Sequence, residues 1–461
     1  MDILSAQRVH IIGIGGIGVS GVAKILKHRG VVVSGSDAEA SGVTEGLNAL
    51  GIAVAIGHDS ANVAAVVDAV IFSGAVPTDN SERAAARDRG IPEFSYSEVL
   101  GMLSKHYRTI AVSGTHGKST TTAMLGTILR AAGLDPLILV GTQVATFEQG
   151  NVHLGSGEFF VVEACEHEAQ MMKLSPERII VTNLEPDHLD FYGTFAVLQK
   201  TFSEYVARVP AEHCVLNFDE QVVRELCRNS ATQPRSFGFQ GGTIQCVARR
   251  TEDGEQVAQL RDAVGEEFEL KLRIPGAFNV MNAMAAFEMA RSIGVAPHVA
   301  LDALHKYPGS WRRFERVGEL NGAPVISDYG HHPTAIRETV AATREFFPGK
   351  RVVLVYQPHQ HHRTHALYPD FVSALADPDM LILNEVYDVK GRERAEDQSV
   401  SGTQLFEDIK KTRTIDGGQM AYAASLDEIE ALVCQHALPN DVILVMGAGD
   451  IYKIAHRVCS K

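Results

Sequence analysis

The chain has 461 residues, with 42 basic against 56 acidic side chains for a formal charge of −14, and 45% of its residues are apolar. That apolar fraction supports packed cores and excludes a chain disordered by composition, while the acidic balance excludes a general polyanion-coating protein, which needs a positive field. At roughly 150 residues per domain, three domains are expected.

No stretch reaches the ~18 consecutive apolar residues of a membrane span. The apolar start up to Gly21 is broken by five glycines and lacks a basic lead, so it reads as a strand and turn rather than a signal peptide. The six cysteines (Cys165, Cys214, Cys227, Cys246, Cys434 and Cys459) contain no CxxC pair. They are expected as reduced thiols in a cytoplasmic protein, without a cysteine-built zinc site.

From residue 8 to 107, the short β-branched runs VHIIGIG, VVVSGSD and AVIFSG are each followed by a Gly- or Ala-rich helical stretch. That alternation predicts βαβ units around a parallel sheet. The polar segment SKHYR, Ser104 to Arg108, places a first boundary near 107. A second block carries the strands TIAVSG, LILVG, FFVVEA and RIIVTN. Within it, residues 236–274 alternate in period two between Asp/Gly turns, which predicts an antiparallel patch. A helix from about Asn279 to Ile293 closes the block. The third block alternates again through PVISDYG, RVVLVYQP, MLILNEV and DVILVMGAG. The expectation is three α/β domains, 1–107, 108–316 and 317–461. The outer two are Rossmann-like, and the central one is P-loop ATPase-like, mostly parallel with the antiparallel patch.

Gly13, Gly15, Gly16 and Gly18 form GxGGxG between the first strand and its helix, and Asp37 ends the next strand. Glycines let a diphosphate approach the backbone, and the helix N-terminus offers N–H donors. Asp37 lies where a ribose-binding acid sits in dinucleotide folds. NAD, another diphosphate ligand, or a tight turn with no ligand all fit this loop.

The second block opens on a stronger signal. Strand TIAVS runs into Gly114-Thr115-His116-Gly117-Lys118-Ser119-Thr120 and then a helix. Loop N–H groups cradle phosphate oxygens, Lys118 neutralises the β/γ-phosphates, and the Ser119 hydroxyl reaches Mg²⁺. Glu163 ends an apolar strand, where α/β sheets bind ligands, and His188 follows another in VTNLEPDHLD. Each has a plain alternative, a surface carboxylate for Glu163 and a satisfied loop histidine for His188.

The segments GIGGIGVSG, GTHGKSTTT, VVEACE, TNLEPDHLD, GAFNVMNA, SWRRFERVG, SDYGHHPTAI, YQPHQHHRT and VMGAGDI follow in that order from residue 13 to 451. In this series the chain resembles the Mur ligase family over essentially its whole length. The resemblance implies an ATP-dependent carbon–nitrogen ligase of peptidoglycan precursor synthesis, with ATP and Mg²⁺ as cofactors. It implies UDP-N-acetylmuramate as the acid substrate and L-alanine as the amine, joined through an acyl phosphate. A recycled tripeptide is the alternative acceptor. In a different class, a nicotinamide-dependent oxidoreductase would rest on the glycine loop and Asp37 alone. Small-molecule substrates, no nucleic acid, no membrane, and a monomer or homodimer are expected.

Carried over by position, the resemblance places the UDP-sugar at Gly13, Gly15, Gly16, Gly18 and Asp37, and ATP at Gly114 to Thr120. Ser119, Glu163 and His188 fall on the metal positions, and Asn279 and Asn282 on the adenine side. Arg313 and Asp328 match the closure of the C-terminal domain over the nucleotide. His331, His359 and Arg363 match the amino-acid side, with Lys118, Glu163, His188 and His331 as the catalytic set. His331 or His332 is a candidate proton acceptor for the amine; the alternative is that both only orient substrate or pack beneath Pro333. His361 and His362 read as a polar anion-facing loop or, by composition, a metal cluster. The chain departs from the family at Cys165-Glu166-His167-Glu168-Ala169, at Phe278, and at Gln360, where many members carry arginine. That last change leaves Arg363 as the main cation for the amino-acid carboxylate. Lys200 is assigned no role.

Overall fold

The structure, a computed structural model, describes residues 2–228, 230–388, 400–412 and 419–460. The first sheet comprises β1 (Arg8–Ile12), β2 (Val32–Asp37), β3 (Ala53–Ile56), β4 (Ala69–Phe72) and β5 (Glu93–Ser95). Its order is β3-β2-β1-β4-β5 with all pairs parallel. The edge strands β3 and β5 escape the sequence reading because they are short and only partly buried.

The central sheet contains β6 (Arg108–Ser113), β7 (Leu137–Leu139), β8 (Val152–Leu154), β9 (Phe159–Glu163), β10 (Arg178–Val181), β11 (Cys214–Asn217), β12 (Arg235–Gly238), β13 (Ile244–Glu252), β14 (Glu255–Asp262) and β15 (Glu267–Leu272). Its order is β15-β14-β13-β12-β11-β10-β6-β9-β7-β8. The period-two segment forms the antiparallel run β13-β14-β15, while β6 lies parallel between β9 and β10. The third sheet joins β16 (Glu315–Leu320), β17 (Ala323–Asp328), β18 (Arg351–Tyr356), β19 (Met380–Asn384), β20 (Gln419–Ala423) and β21 (Asp441–Met446) in the order β16-β17-β21-β18-β19-β20. Only the edge pair β16–β17 is antiparallel there. The expected division between 316 and 317 falls inside β16, which buries only Leu320 and lacks the apolar run that made β17 visible.

The cores show how these parts are joined. One continuous apolar cluster runs from the first sheet, through Leu26, Ile71 and Leu103, into the face of the central sheet carrying Phe160, Val162 and Val181. The opposite face of the central sheet is closed by the helices Lys118–Ala131 and Ala277–Ser292. The third sheet has its own two clusters, touched from the central part by Phe278. Shared apolar burial couples the first two units, whereas the third keeps separate clusters and meets the central one at Phe278 and through polar pairs such as Arg363–Asp187. Among the described residues no helix is long and apolar enough to cross a membrane.

Candidate active site

Open parallel sheets present their ligand sites at the C-terminal ends of the strands. Here β6, β9 and β17 all end at one cavity of about 1460 Å³, whose walls include Ile17, Lys118, Glu163, His188, Arg313 and Arg363. The loop after β6 turns through Gly117, which sits at φ +81° and starts the helix Lys118–Ala131. Only glycine takes that backbone without strain, and a Cβ there would also strike the Asn282 side chain. The loop is braced from the neighbouring strand end, with Asn183 Oδ1 accepting the His116 N–H at 2.7 Å.

Lys118 points back over its own loop. Its ammonium donates to Gly114 O at 2.6 Å and Thr115 O at 3.1 Å, and pairs with Glu166 at 2.9 Å. Burial opposes the charge, but Glu166 and its neighbours outweigh it and raise the Lys118 pKa above its ordinary value. Ser119, one residue on, donates its hydroxyl to Glu163 at 3.1 Å, and the other Glu163 oxygen accepts the Gly141 N–H. Burial raises the Glu163 pKa. His188 stands with a second carboxylate pair, its Nε2 lying 3.7 Å from both Glu166 and Asp187. The three expected metal positions therefore divide between two adjoining groups, Ser119–Glu163 and Glu166–Asp187–His188. Glu166 and Asp187 escaped the sequence reading as site residues, although each adjoins a quoted motif residue.

These donors are rich in hard oxygen: a serine hydroxyl and three carboxylates. Magnesium prefers such ligands, so the residues fit the ion the resemblance implies.

The two asparagines expected on the adenine side pack at the start of the helix Ala277–Ser292. Asn282 Oδ1 accepts the Thr121 hydroxyl at 3.2 Å, and the Asn279 amide donates to Pro275 O at 2.6 Å. Both asparagines border the cavity, as do Thr115, His116 and Thr120.

The third unit closes the opposite wall. Arg313 reaches across to Ser119, donating at 3.4 Å, and lies over the Tyr329 ring. Asp328, buried at the end of β17, accepts the Phe314 and Gly330 N–H groups, so it shapes the backbone around Arg313. Burial raises its pKa. His331 and His359 have ring centroids 6.1 Å apart. Burial, followed by the Arg363 charge, lowers both, His359 to about 3. Both imidazoles are therefore neutral near pH 7. Arg363 is itself paired, 3.4 Å from Asp187, and donates to Gln360 Oε1 at 3.0 Å. Asp187 is held well below the usual carboxylate range, because Arg363 and His188 overcome its burial. His361 pairs with Asp388 at 2.5 Å, and His362 lies 3.7 Å from Asp190. These two histidines point to separate carboxylates rather than into one cluster. Lys200 is an exposed partner of Glu204.

The glycine loop lies towards the first sheet. The Gly13 N–H donates to Ser36 O, and Asp37 Oδ2 accepts the Gly15 N–H at 2.8 Å. Asp37 thus holds the turn itself. Gly16 caps the helix Ile17–His28, and a Cβ on Gly18 would lie 2.5 Å from the Tyr96 hydroxyl. Ile17 carries this helix start to the cavity wall.

Residues 8–108 match the catalytic domain of the Mur ligase family, residues 112–290 the Mur ligase middle domain, and residues 312–449 the glutamate ligase domain of Mur ligases. The chain is 36% identical over 455 residues to a UDP-N-acetylmuramate–L-alanine ligase of Carboxydothermus hydrogenoformans, covering 98% of this chain and 96% of that one. It is similar to the crystal structure of the UDP-N-acetylmuramate–alanine ligase MurC of Thermotoga maritima, with a TM-score of 0.84, 29% identity and 98% of both chains covered. A murein peptide ligase of Psychrobacter arcticus shares the fold at a TM-score of 0.72 and 23% identity, again over 98% of both chains. With three family domains in sequence and a curated relative matched from end to end, the chain belongs to the Mur ligase family.

Proposed function

We propose that the protein joins L-alanine to the carboxylate of UDP-N-acetylmuramate, with cleavage of ATP to ADP and phosphate. One observation carries this: the phosphate loop at Lys118, the arginine Arg313 and the His331–His359–Arg363 group face a single cavity. The similarity to ligases named for these two substrates supports the choice of acid and amine.

ATP occupies the loop Gly114–Thr120, with its phosphates at the start of the helix Lys118–Ala131 and its base towards Asn279 and Asn282. The muramate carboxylate attacks the γ-phosphorus and ADP leaves, giving an acyl phosphate. The amine nitrogen of L-alanine then attacks the acyl carbon and phosphate leaves. Such transfers depend on alignment and charge neutralisation rather than a protein nucleophile. Lys118 and Arg313 supply positive charge from opposite walls. Ser119, Glu163 and His188, with Glu166 and Asp187, would hold magnesium, which neutralises phosphate charge when bound. Arg363 receives the alanine carboxylate, and neutral His331 accepts a proton from the attacking amine. The UDP diphosphate lies at the N-terminus of the helix Ile17–His28, fixed by Gly13, Gly15, Gly16, Gly18 and Asp37. The units divide as 1–107 for the UDP-sugar, 108–316 for ATP and the remainder for the amino acid, with the last unit's sheet starting at β16.

A phosphate-release assay with UDP-N-acetylmuramate, ATP and a panel of L-alanine, glycine, L-serine and the tripeptide tests this. Release is expected to be fastest with L-alanine, and preference for the tripeptide would transfer the assignment to the recycling reaction.

A further inference from the structure

A second group of ligand atoms lies at the junction of the central and third units, separate from the oxygen-rich groups described above. His116, in the phosphate loop, directs Nε2 at Glu185 Oε2 across 3.5 Å. His332, which caps the helix Pro333–Phe346, places Nδ1 3.6 Å from the same oxygen. The two rings lie 4.9 Å apart at their centroids, and one ligand atom from each of the three residues falls within 4.8 Å of the others. The ring positions are fixed from outside the group. The His116 backbone is held by Asn183, and the Glu185 backbone N–H donates to the Thr115 hydroxyl at 2.9 Å.

The hydrogen bonding within the group is incomplete. His332 is 5% exposed, yet its Nε2 has no partner, and the buried His116 Nε2 makes no contact tighter than its 3.5 Å approach to Glu185. The His332 Nδ1 accepts only a long bond, 3.3 Å, from the Thr334 N–H. Glu185 Oε2 accepts the Thr334 hydroxyl at 2.9 Å and keeps further lone-pair capacity. Buried imidazole nitrogens without partners are costly unless something binds them.

We propose that His116, Glu185 and His332 form a binding site for a zinc-class divalent cation that ties the third unit to the central one. Two imidazoles and one carboxylate make the donor set of borderline-soft ions rather than magnesium. The 3.5 and 3.6 Å separations approach the edge of about 3.3 Å for a tetrahedron with zinc-length bonds. All three residues border the cavity. The ion joins residues of both units, so its binding holds the two together. The site does not depend on the ligase assignment, since its ligands and its test involve no substrate.

Co²⁺ serves as the probe, because its visible absorption reports nitrogen and oxygen ligands in low coordination number. The full chain, without nucleotide and with excess Mg²⁺, is expected to bind one equivalent with a saturable visible spectrum. His332→Asn keeps a helix-capping side chain and is expected to weaken that binding at least tenfold, as is His116→Gln; far-UV circular dichroism checks that both are folded. His188→Ala, which disables the neighbouring Glu166–Asp187–His188 group, is expected to leave the spectrum in place. The proposal is overturned if Co²⁺ gives no saturable spectrum, if His332→Asn or His116→Gln retains it, or if His188→Ala removes it.

Discussion

Lys118 of the phosphate loop is paired with Glu166 at 2.9 Å, across 48 residues of sequence. Incoming phosphate and this carboxylate therefore compete for one ammonium. Both side chains are largely buried, and removing one partner of a buried pair leaves an uncompensated charge. Two loop carbonyls still accept from Lys118, so Glu166→Gln is expected to destabilise the ligand-free protein by about 2 kcal/mol. The bound nucleotide restores the missing negative charge, so the rise in melting temperature on adding an ATP analogue should be larger in the variant than in the parent chain. Equal rises in a thermal-shift titration would count against the competition.

A buried carboxylate in the first unit sets an acid limit on stability. Glu82 is fully buried and accepts from His10 at 3.0 Å, Ser36 at 2.6 Å and Asn62 at 2.8 Å. Burial pulls its pKa upward, but these hydrogen bonds outweigh it and hold the group at about 2. The folded value lies below the unfolded one, so the unfolded chain binds the extra proton as pH falls. The stabilisation is thus complete above about pH 4.5 and is lost between there and pH 2, amounting to roughly 3 kcal/mol. Urea midpoints across this range should fall steeply for the parent chain and much less for Glu82→Gln. Ser36 also accepts the Gly13 N–H through its carbonyl, so the same variant should raise the KM for the UDP-sugar.

Gln360 combines strain with positioning. Its backbone sits at φ +70°, where a non-glycine residue costs about 1 kcal/mol or more, and its side chain accepts from Arg363 at 3.0 Å. Gln360→Gly relieves the first and loses the second. The variant is expected to be more stable by about 1 kcal/mol while its KM for the amino acid rises several-fold, a split read from denaturation curves and initial rates.

These relationships also mark what the chain makes legible before folding. The phosphate loop, Glu163 and the strand before Asp328 stood out because each is a local pattern: an apolar strand, then the residue at its C-terminal end. The antiparallel run β13-β14-β15 stood out for the same reason, through its period of two. What escaped depends on distant chain segments meeting. Glu166 acquires its role from Lys118, and Asp187 from Arg363, 176 residues away. Nothing in the spacing of either carboxylate carries that information. β16 escaped because an edge strand with one exposed side lacks a continuous apolar run.

The third unit meets the central one through polar pairs that include Arg363–Asp187, Thr334–Glu185 and Arg249–Glu345, and through Phe278, whereas the first two units share one continuous apolar core. Closure on ligand binding is therefore expected as a movement of the third unit. Asp187→Ala is expected to enlarge the radius of gyration of the ligand-free protein in solution scattering, with compaction on adding an ATP analogue and UDP-N-acetylmuramate. An unchanged radius in all four states would exclude this hinge.

The proposed function places ligation at the Lys118 loop. It is tested most directly by mass spectrometry of the reaction of ATP, Mg²⁺, UDP-N-acetylmuramate and L-alanine, with the parent chain and with Lys118→Ala. One UDP-N-acetylmuramoyl-L-alanine is expected per ADP and phosphate formed by the parent chain, and no product from the variant, which still binds the UDP-sugar. Product formed at comparable rate by Lys118→Ala, or none formed by the parent chain, would contradict it.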